Sequence, residues 1–387
     1  MKNESIIFFS SDDWGWKTSK YQLSTRFAKE NKVLFVSSIG FRAPTASSDD
    51  LSRIWKKIKS FFKGIKKINE NLFVLTPLVI PFTWFPFRKH LNSGILKMQI
   101  GWAKWRLNFG KPYLFIFSEN WHDYVIRMPR KKLVYYIVDE HASFSGIDAQ
   151  QFKDMDKKLN QAADVIFCSA RTLFEKNVKN NPNTYYMPHG VSYELFSSTL
   201  DDSTTIATDI KPIPGPIFLF FGHISYDWVD HELVKFLAKN KPDWSWVYVG
   251  KYSMDKLEFN DYKNIYLLGE KDFEQLPSYC KGADIATIPF IYSELTNNCN
   301  PLKLPEYLAA GLPVVSTNIP EVKRSFGEEC YIGEDHQGFL NACEKAIDEN
   351  NEHRNLKISK EMSAHSWEQR INEVFRIVQQ APKTQNK

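Results

Sequence analysis

Lys303 and Glu306 stand three residues apart within Asn297–Thr317, NNCNPLKLPEYLAAGLPVVST. Here a polar loop with Pro301 runs into a helical stretch that Gly311 ends before the apolar run at Val314. Positions i and i+3 share a helix face, and a helix start that follows a strand offers unbonded N–H groups to an anion. A lysine there adds a full positive charge for a diphosphate, and a carboxylate one turn on can accept hydrogen bonds from ribose hydroxyls. An ordinary surface Lys–Glu pair would have the same spacing. A second group, Asp139-Glu140-His141, follows the apolar run Val134–Val138. Residues at the C-terminal ends of parallel strands face the crevice where ligands bind, and a partly desolvated carboxylate there can take the proton of an attacking hydroxyl. Asp139 is the first candidate base and His141 the second, unless Asp139 only caps the next helix.

Two further strand ends carry polar groups. Asp12-Asp13-Trp14-Gly15 follows the first apolar run, where Asp13 or Trp14 could contact an acceptor or simply make a turn. Ser118-Glu119-Asn120-Trp121 is placed in the same way. Asp154-Met155-Asp156 has the D-x-D spacing of a metal site, but it lies inside the helical stretch Asp148–Ala163, where i and i+2 point to different faces. No metal is expected there, and no Walker A, G-x-G-x-x-G or H-E-x-x-H motif occurs.

The elements that must position these groups read as alternating βα units. Short apolar runs at Ile6–Ser10, Lys32–Ser37, Leu72–Leu75, Tyr113–Phe117, Leu133–Val138, Val165–Cys168 and Tyr185–Met187 alternate with amphipathic stretches, the first of them a helix over about Lys20–Glu30. A second series runs through Ile217–Phe221, Trp246–Val249, Ile265–Leu268, Ile285–Ile288 and Val314–Ser316. Such alternation predicts parallel sheets with helices on both faces. The length of 387 residues predicts two domains. Residues 1–200 are expected to form the first and 217–360 the second. The Thr-, Asp- and Pro-rich stretch 201–216 is the expected linker, and 361–387 a C-terminal helix returning toward the first domain.

Composition narrows the partners. A formal charge of +5 suits an anionic substrate or surface and does not indicate nucleic acid. Five scattered cysteines without a C-x-x-C pair argue against a disulfide framework. Neither a signal-peptide pattern nor an apolar stretch long enough to span a bilayer is present, so a cytoplasmic protein is expected. Ser52–Ile68, SRIWKKIKSFFKGIKKI, puts Ile54, Ile58, Phe61, Phe62 and Ile65 at helical spacing, with Trp55 beside them. Seven cations, among them Lys56, Lys57 and Lys63, and no acid accompany them. This predicts an amphipathic helix lying on an anionic membrane, at the inner face of the cell membrane, with a solvated basic surface helix as the alternative.

The run from Leu302 through Lys303, Leu304, Pro305 and Glu306 to Val315 resembles the nucleotide-binding motif of GT-B glycosyltransferases. It is most similar to the group 1 (family 4-like) enzymes of bacterial surface polysaccharide synthesis. Other segments resemble the same family in order: Ala163–Ser169, Pro188-His189-Gly190-Val191, Ile265–Gly269 with Leu276-Pro277 and Ala283-Asp284, and Ser366-Trp367-Glu368. The family pattern commonly has a glutamate eight residues before the second one. Asn298 stands there, where its amide could still bond a sugar hydroxyl. Gly222-His223 follows the first strand of the second domain without the Arg and Lys of many members, which leaves charge neutralisation to Lys303 with His223.

The resemblance implies a GT-B fold, two doubly wound Rossmann-like domains facing a central cleft. It also implies transfer of a sugar from a nucleotide diphosphate donor to a hydroxyl of a lipid-linked or oligosaccharide acceptor, with no metal or other cofactor. Gly222, His223, Asn298, Leu302, Lys303, Leu304 and Glu306 would serve the donor, Asp139 and His141 the chemistry, and Asp13 and Trp14 the acceptor. A nucleotide-sugar epimerase of the same fold and a non-catalytic sugar-binding protein are the alternatives.

Overall fold

The computed structural model describes residues 1–39, 59, 64–80 and 88–383. The chain divides into two compact units, one comprising Met1–Pro188 with the chain from Ile371 onward, the other His189–Arg370. In the first unit the strands are β1 Ser5–Phe9, β2 Lys32–Val36, β3 Lys66–Lys67, β4 Leu72–Leu75, β5 Tyr113–Ile116, β6 Leu133–Ile137, β7 Val165–Cys168 and β8 Thr184–Tyr186. They lie in the order β3-β4-β2-β1-β5-β6-β7-β8, parallel except for β3. In the second, β9 Ile217–Phe221, β10 Ser245–Val249, β11 Ile265–Gly269, β12 Ile285–Ile288, β13 Val314–Thr317 and β14 Cys330–Gly333 form a wholly parallel sheet in the order β11-β10-β9-β12-β13-β14. Each sheet grows one way from its first strand and then reverses, at β1/β5 and at β9/β12, and ligands of such sheets bind beyond the strand ends at the reversal. Each unit is thus the doubly wound, Rossmann-like kind of domain that the resemblance implies.

The central strands are apolar throughout because helices cover both faces. Ile6, Ile7, Phe8 and Phe9 of β1, and Phe218, Leu219, Phe220 and Phe221 of β9, are all buried. Strand positions agree with the sequence reading to within a residue or two, but β3 and β14 were not anticipated. The first predicted helix is shorter than read, Ser19–Phe27: beyond it the Lys29 and Glu30 N–H groups bond only three residues back, to Arg26 and Phe27, and the Asn31 amide donates to the Phe27 carbonyl.

The predicted helix Ser52–Ile68 needs correcting at its C-terminal end. Gly64 has φ +71°, and Lys66 and Lys67 pair antiparallel with Val74 and Phe73. The side chain of Asn69 accepts from the N–H groups of Asn71 and Leu72, at 2.9 and 2.8 Å, and closes the hairpin as an Asx turn. Ile65 fits a helical period, but the hairpin overrides it. Ile54, Trp55, Lys56, Lys57, Phe61, Phe62 and Lys63 lie outside the described residues.

The first unit ends at Pro188, and residues 201–216 lie inside the second unit. Ile210 is buried there, and Asp209 accepts hydrogen bonds from Lys271 and Tyr279 at 2.7 and 2.8 Å. The C-terminal helix Trp367–Gln380 starts against Gly190, where an added Cβ would lie 2.7 Å from the Trp367 Cα. From Ile371 it belongs to the first unit: Phe375 meets Phe27 edge-on at 4.4 Å, and the Lys132 ammonium donates to the carbonyls of Val378 and Ala381. A cation at the end of a helix satisfies its last carbonyls.

At the C-terminal edge of the second sheet, three neighbouring strands each lead into a glycine of positive φ, Gly222, Gly250 and Gly269. A Cβ on Gly250 would sit 1.8 Å from the Gly222 carbonyl oxygen, whereas one on Gly269 would meet nothing within 4 Å. Both alanine substitutions impose a strained φ costing about 1–3 kcal/mol, but only Gly250→Ala adds a backbone clash. Urea denaturation should show Gly269→Ala losing about 1 kcal/mol and Gly250→Ala at least about 3 kcal/mol. Equal losses would show that the close approach of β9 and β10 is not what the glycine provides.

Candidate functional site

In the second unit the site is built on the reversal between β9 and β12. The loop after β12 ends in the short helix Lys303–Ala309, which is fastened to the end of β9. The Tyr307 hydroxyl accepts from the Phe221 N–H at 2.7 Å, and the two rings pack at 4.4 Å. Gly311, at φ +76°, closes the helix, with the Leu312 N–H donating to the Tyr307 carbonyl at 3.1 Å. So held, Lys303 places its ammonium 4.8 Å from the Phe220 ring centroid and 4.6 Å from that of Phe290. It also lies over Gly222, where an added Cβ would be 3.2 Å from the Lys303 Nζ. The aromatic faces attract the cation, yet burial pushes its pKa down to about 8. Among the described residues no carboxylate forms an ion pair with it. An anion is what this position lacks.

Glu306 is buried, and burial raises its pKa to about 8, with Lys303 pulling the other way. The two do not form a surface pair. Leu304 is buried and Leu302 half-buried. Asn298 donates its amide to the Glu294 carbonyl at 2.9 Å. His223 is bound to the Ser253 hydroxyl at 2.7 Å, and its pKa is lowered by burial and by the cations of Lys251 and Lys303. A neutral His223 therefore adds polarity but little charge beside Lys303.

In the first unit the strand ends of β1, β5 and β6 bring together groups that the sequence separates widely. Glu119, after β5, and His141, after β6, are both buried, with Nδ1 of the imidazole 2.7 Å from the carboxylate. Burial alone would lower the His141 pKa, but Glu119 outweighs it and the net shift is upward. The Tyr135 hydroxyl lies 3.0 Å from Glu119 and 2.8 Å from Asp156. Burial together with the Glu119 charge raises Asp156 to about 6. Glu140 is ion-paired with Lys176. Asp12 accepts from the Thr18 hydroxyl at 2.7 Å and lies 3.3 Å from the buried Lys20 ammonium.

Asp139 differs from these. It is half-buried, and its carboxylate has no hydrogen-bond partner among the described residues, while its carbonyl accepts from the His141 N–H at 3.1 Å. It does not cap the following 3-10 turn His141–Ser143, whose N-cap is Glu140. Asp13 is exposed, and Trp14 packs against Tyr21 and Phe35 at 4.9 and 5.0 Å. The paired, half-buried acid of that loop is Asp12, which sequence reasoning passed over because only the fold brings Lys20 to it. Glu119 was noted only as a strand-end group, since its partner lies 22 residues away.

The D-x-D pair splits as the helical period requires, with Asp154 exposed and bonded to Gln150 and Asp156 turned to Tyr135. Among the described residues no cluster of three metal-ligating side chains occurs.

Residues 215–349 match the family model described as glycosyl transferases group 1. Over 209 residues the chain is 30% identical to TuaH of Bacillus subtilis (strain 168), named as a teichuronic acid biosynthesis glycosyltransferase; the match covers 51% of this chain and 52% of TuaH. The chain thus spans about half the length of the curated relative it matches. Among solved structures it resembles sucrose-phosphate synthase from Thermosynechococcus elongatus, with TM-score 0.69, 15% identity, and 98% and 99% of the two chains covered. Anabaena HepE in complex with UDP and glucose gives TM-score 0.68, 11% identity, and 98% and 100% coverage. The lipopolysaccharide glycosyltransferase WaaG gives 0.65, 10%, and 98% and 100%.

Removing the Lys303 ammonium should remove a charge-assisted hydrogen bond to phosphate worth about 1.5–3 kcal/mol. Lys303→Ala is expected to weaken nucleoside diphosphate binding at least about tenfold by calorimetry. Because the group titrates at about 8, wild-type affinity should hold below that pH and fall as the pH rises through it. The variant should lose that fall. A variant that keeps both affinity and pH slope would take Lys303 out of the site.

Proposed function

We propose that the chain is a glycosyltransferase that moves a sugar from a nucleotide diphosphate donor to a hydroxyl of a saccharide acceptor in surface polysaccharide synthesis. The carrying observation is Lys303, a half-buried cation without an ion-paired carboxylate among the described residues, set over Gly222 at the sheet reversal. It falls in the stretch that matches the group 1 family model. The UDP and UDP-glucose complexes of HepE support a uridine diphosphate sugar as the first donor to try. The TuaH match supports a surface polymer as the product class, and a lipid-linked saccharide at the inner membrane face is the acceptor we favour.

In this reading the second unit holds the donor. The acceptor oxygen bonds to the anomeric carbon as the bond from that carbon to the diphosphate breaks. Negative charge grows on the leaving oxygen, and Lys303 opposes it in surroundings where charge is poorly screened. Glu306, one turn on, is set to meet the ribose, and Asn298 takes the place of the first glutamate. The first unit supplies the base. Asp139 has a half-buried carboxylate without a hydrogen-bond partner among the described residues, so it can take the hydroxyl proton. His141, buried against Glu119, fixes the turn that carries Asp139. Lysine and backbone groups answer the leaving charge, and no metal is assigned a part.

Asp139→Asn keeps the shape and removes proton-accepting power, so it should spare donor affinity and reduce turnover by about two orders of magnitude. His141→Gln retains a donor toward Glu119 and should stay within about tenfold of wild type. A His141→Gln loss as deep as that of Asp139→Asn would move proton transfer to the imidazole. Turnover should also survive EDTA; loss on chelation with recovery on Mn²⁺ would show that a metal takes part.

A further inference from the structure

We propose that the helix Arg88–Arg106 is a membrane-contact element whose exposed tryptophans enter the interface of an anionic bilayer. This deepens the membrane-face reading above and rests on it. The helix has two opposed faces. Leu96, Ile100 and Ala103 are buried in the first unit's core, together with two amides. Gln99 donates to the Leu78 carbonyl and accepts from its N–H, each at 2.9 Å. Asn92 does the same for Ile80, at 3.1 and 2.8 Å.

These paired bonds fix the rotation of the helix about its axis. Turning it would strand two buried side-chain amides and the backbone groups they satisfy, and each stranded group is costly. The other face is therefore committed to the outside. It carries Leu91, Met98, Trp102 and Trp105, which are 44, 69, 46 and 78% exposed. Their spacings of seven, four and three residues place them in one stripe along the helix. Large exposed apolar groups gathered in one patch mark a binding surface.

Charge decides between occupants. The helix sequence holds Arg88, Lys89, Lys97, Lys104 and Arg106 and no acid. Lys97 and Arg106 are exposed, as are Lys66 and Lys67 on β3. A second copy of the chain would bring the same cations against these. An anionic lipid surface complements them, and tryptophan favours the headgroup level because its ring is apolar and its N–H polar. Gly64, where the described chain resumes after the lysine-rich segment, lies beside Trp102: a Cβ there would be 3.8 Å from the ring. The hairpin lysines and the stripe thus share one side of the unit. Among the described residues no helix is long and apolar enough to cross a membrane, and the proposed contact is interfacial.

The test is sedimentation of the full chain with vesicles of phosphatidylcholine containing phosphatidylglycerol, and with phosphatidylcholine alone. Wild type should sediment with the anionic vesicles and be released by salt. The double variant Trp102→Ser/Trp105→Ser should bind at least about tenfold more weakly, with unchanged melting temperature and nucleoside diphosphate affinity. Wild type that ignores anionic vesicles would sink the membrane reading and this inference together. A double variant that binds as tightly as wild type would sink the inference alone. Equal wild-type binding to both vesicle types, or a wild-type dimer that the double variant dissolves, would also overturn it, the last by giving the stripe to a second copy. Vesicle binding needs no donor, so absent sugar transfer would leave the inference standing.

Discussion

A half-buried lysine with aromatic rings beside it and no ion-paired carboxylate among the described residues is an unfavourable arrangement for the free protein. Burial depresses the Lys303 pKa to about 8, and each unit of such a shift corresponds to about 1.4 kcal/mol of bias against the charged form. Cation–π contact with Phe220 and Phe290 returns part of this. The remainder is recovered only by an anion. Much of the second unit's local architecture follows from keeping that position. Tyr307 ties the helix to β9, Gly311 ends it within two turns, and Gly222 leaves room for the lysine where any side chain would intrude.

The helix N-terminus, which the sequence suggested as an anion site, is a weaker device here than the lysine. Lys303–Ala309 has seven residues, and a dipole effect is confined to the terminal turn. The missing cations after Gly222 point the same way. His223 is driven toward neutrality by burial and by the cations of Lys251 and Lys303, so it cannot make up the charge. Lys303 is left as the principal cation of the site, and its protonation state carries correspondingly more weight.

The two parallel sheets were legible in the sequence because buried parallel strands are continuous apolar runs, and in this chain they are spaced by helix-length polar stretches. What failed was local competition. Ile65 fits a helical period, but Asn69 offers the backbone an Asx turn, and the hairpin wins. The segment 201–216 has a linker's composition, yet Ile210 and Asp209 bind it to the second unit. The proximity of Lys303 and Glu306 was legible because they are near neighbours in one motif. Glu119 with His141, and Asp12 with Lys20, were not legible as pairs, since only the fold sets a carboxylate beside its cation. The exposed stripe of Arg88–Arg106 was hidden for a related reason. Apolar residues occur on both sides of that helix, and only the bonds of Asn92 and Gln99 to Ile80 and Leu78 fix which side is buried.

The strand ends of the two units handle charge in opposite ways. At the strand ends of the first unit nearly every ionic group is answered internally: Asp12 by Lys20, Glu119 by His141, Glu140 by Lys176. A surface so balanced has little to offer a diphosphate, because its cations are already paired with carboxylates. In the proposed reaction it suits a neutral hydroxyl compound, for which Asp139, whose carboxylate has no hydrogen-bond partner among the described residues, is available. The second unit instead holds its charge in reserve at Lys303. On the proposed reading, donor and acceptor are sorted by electrostatics, the polyanion to the unit that holds Lys303 and the neutral alcohol to strand ends whose carboxylates are mostly paired.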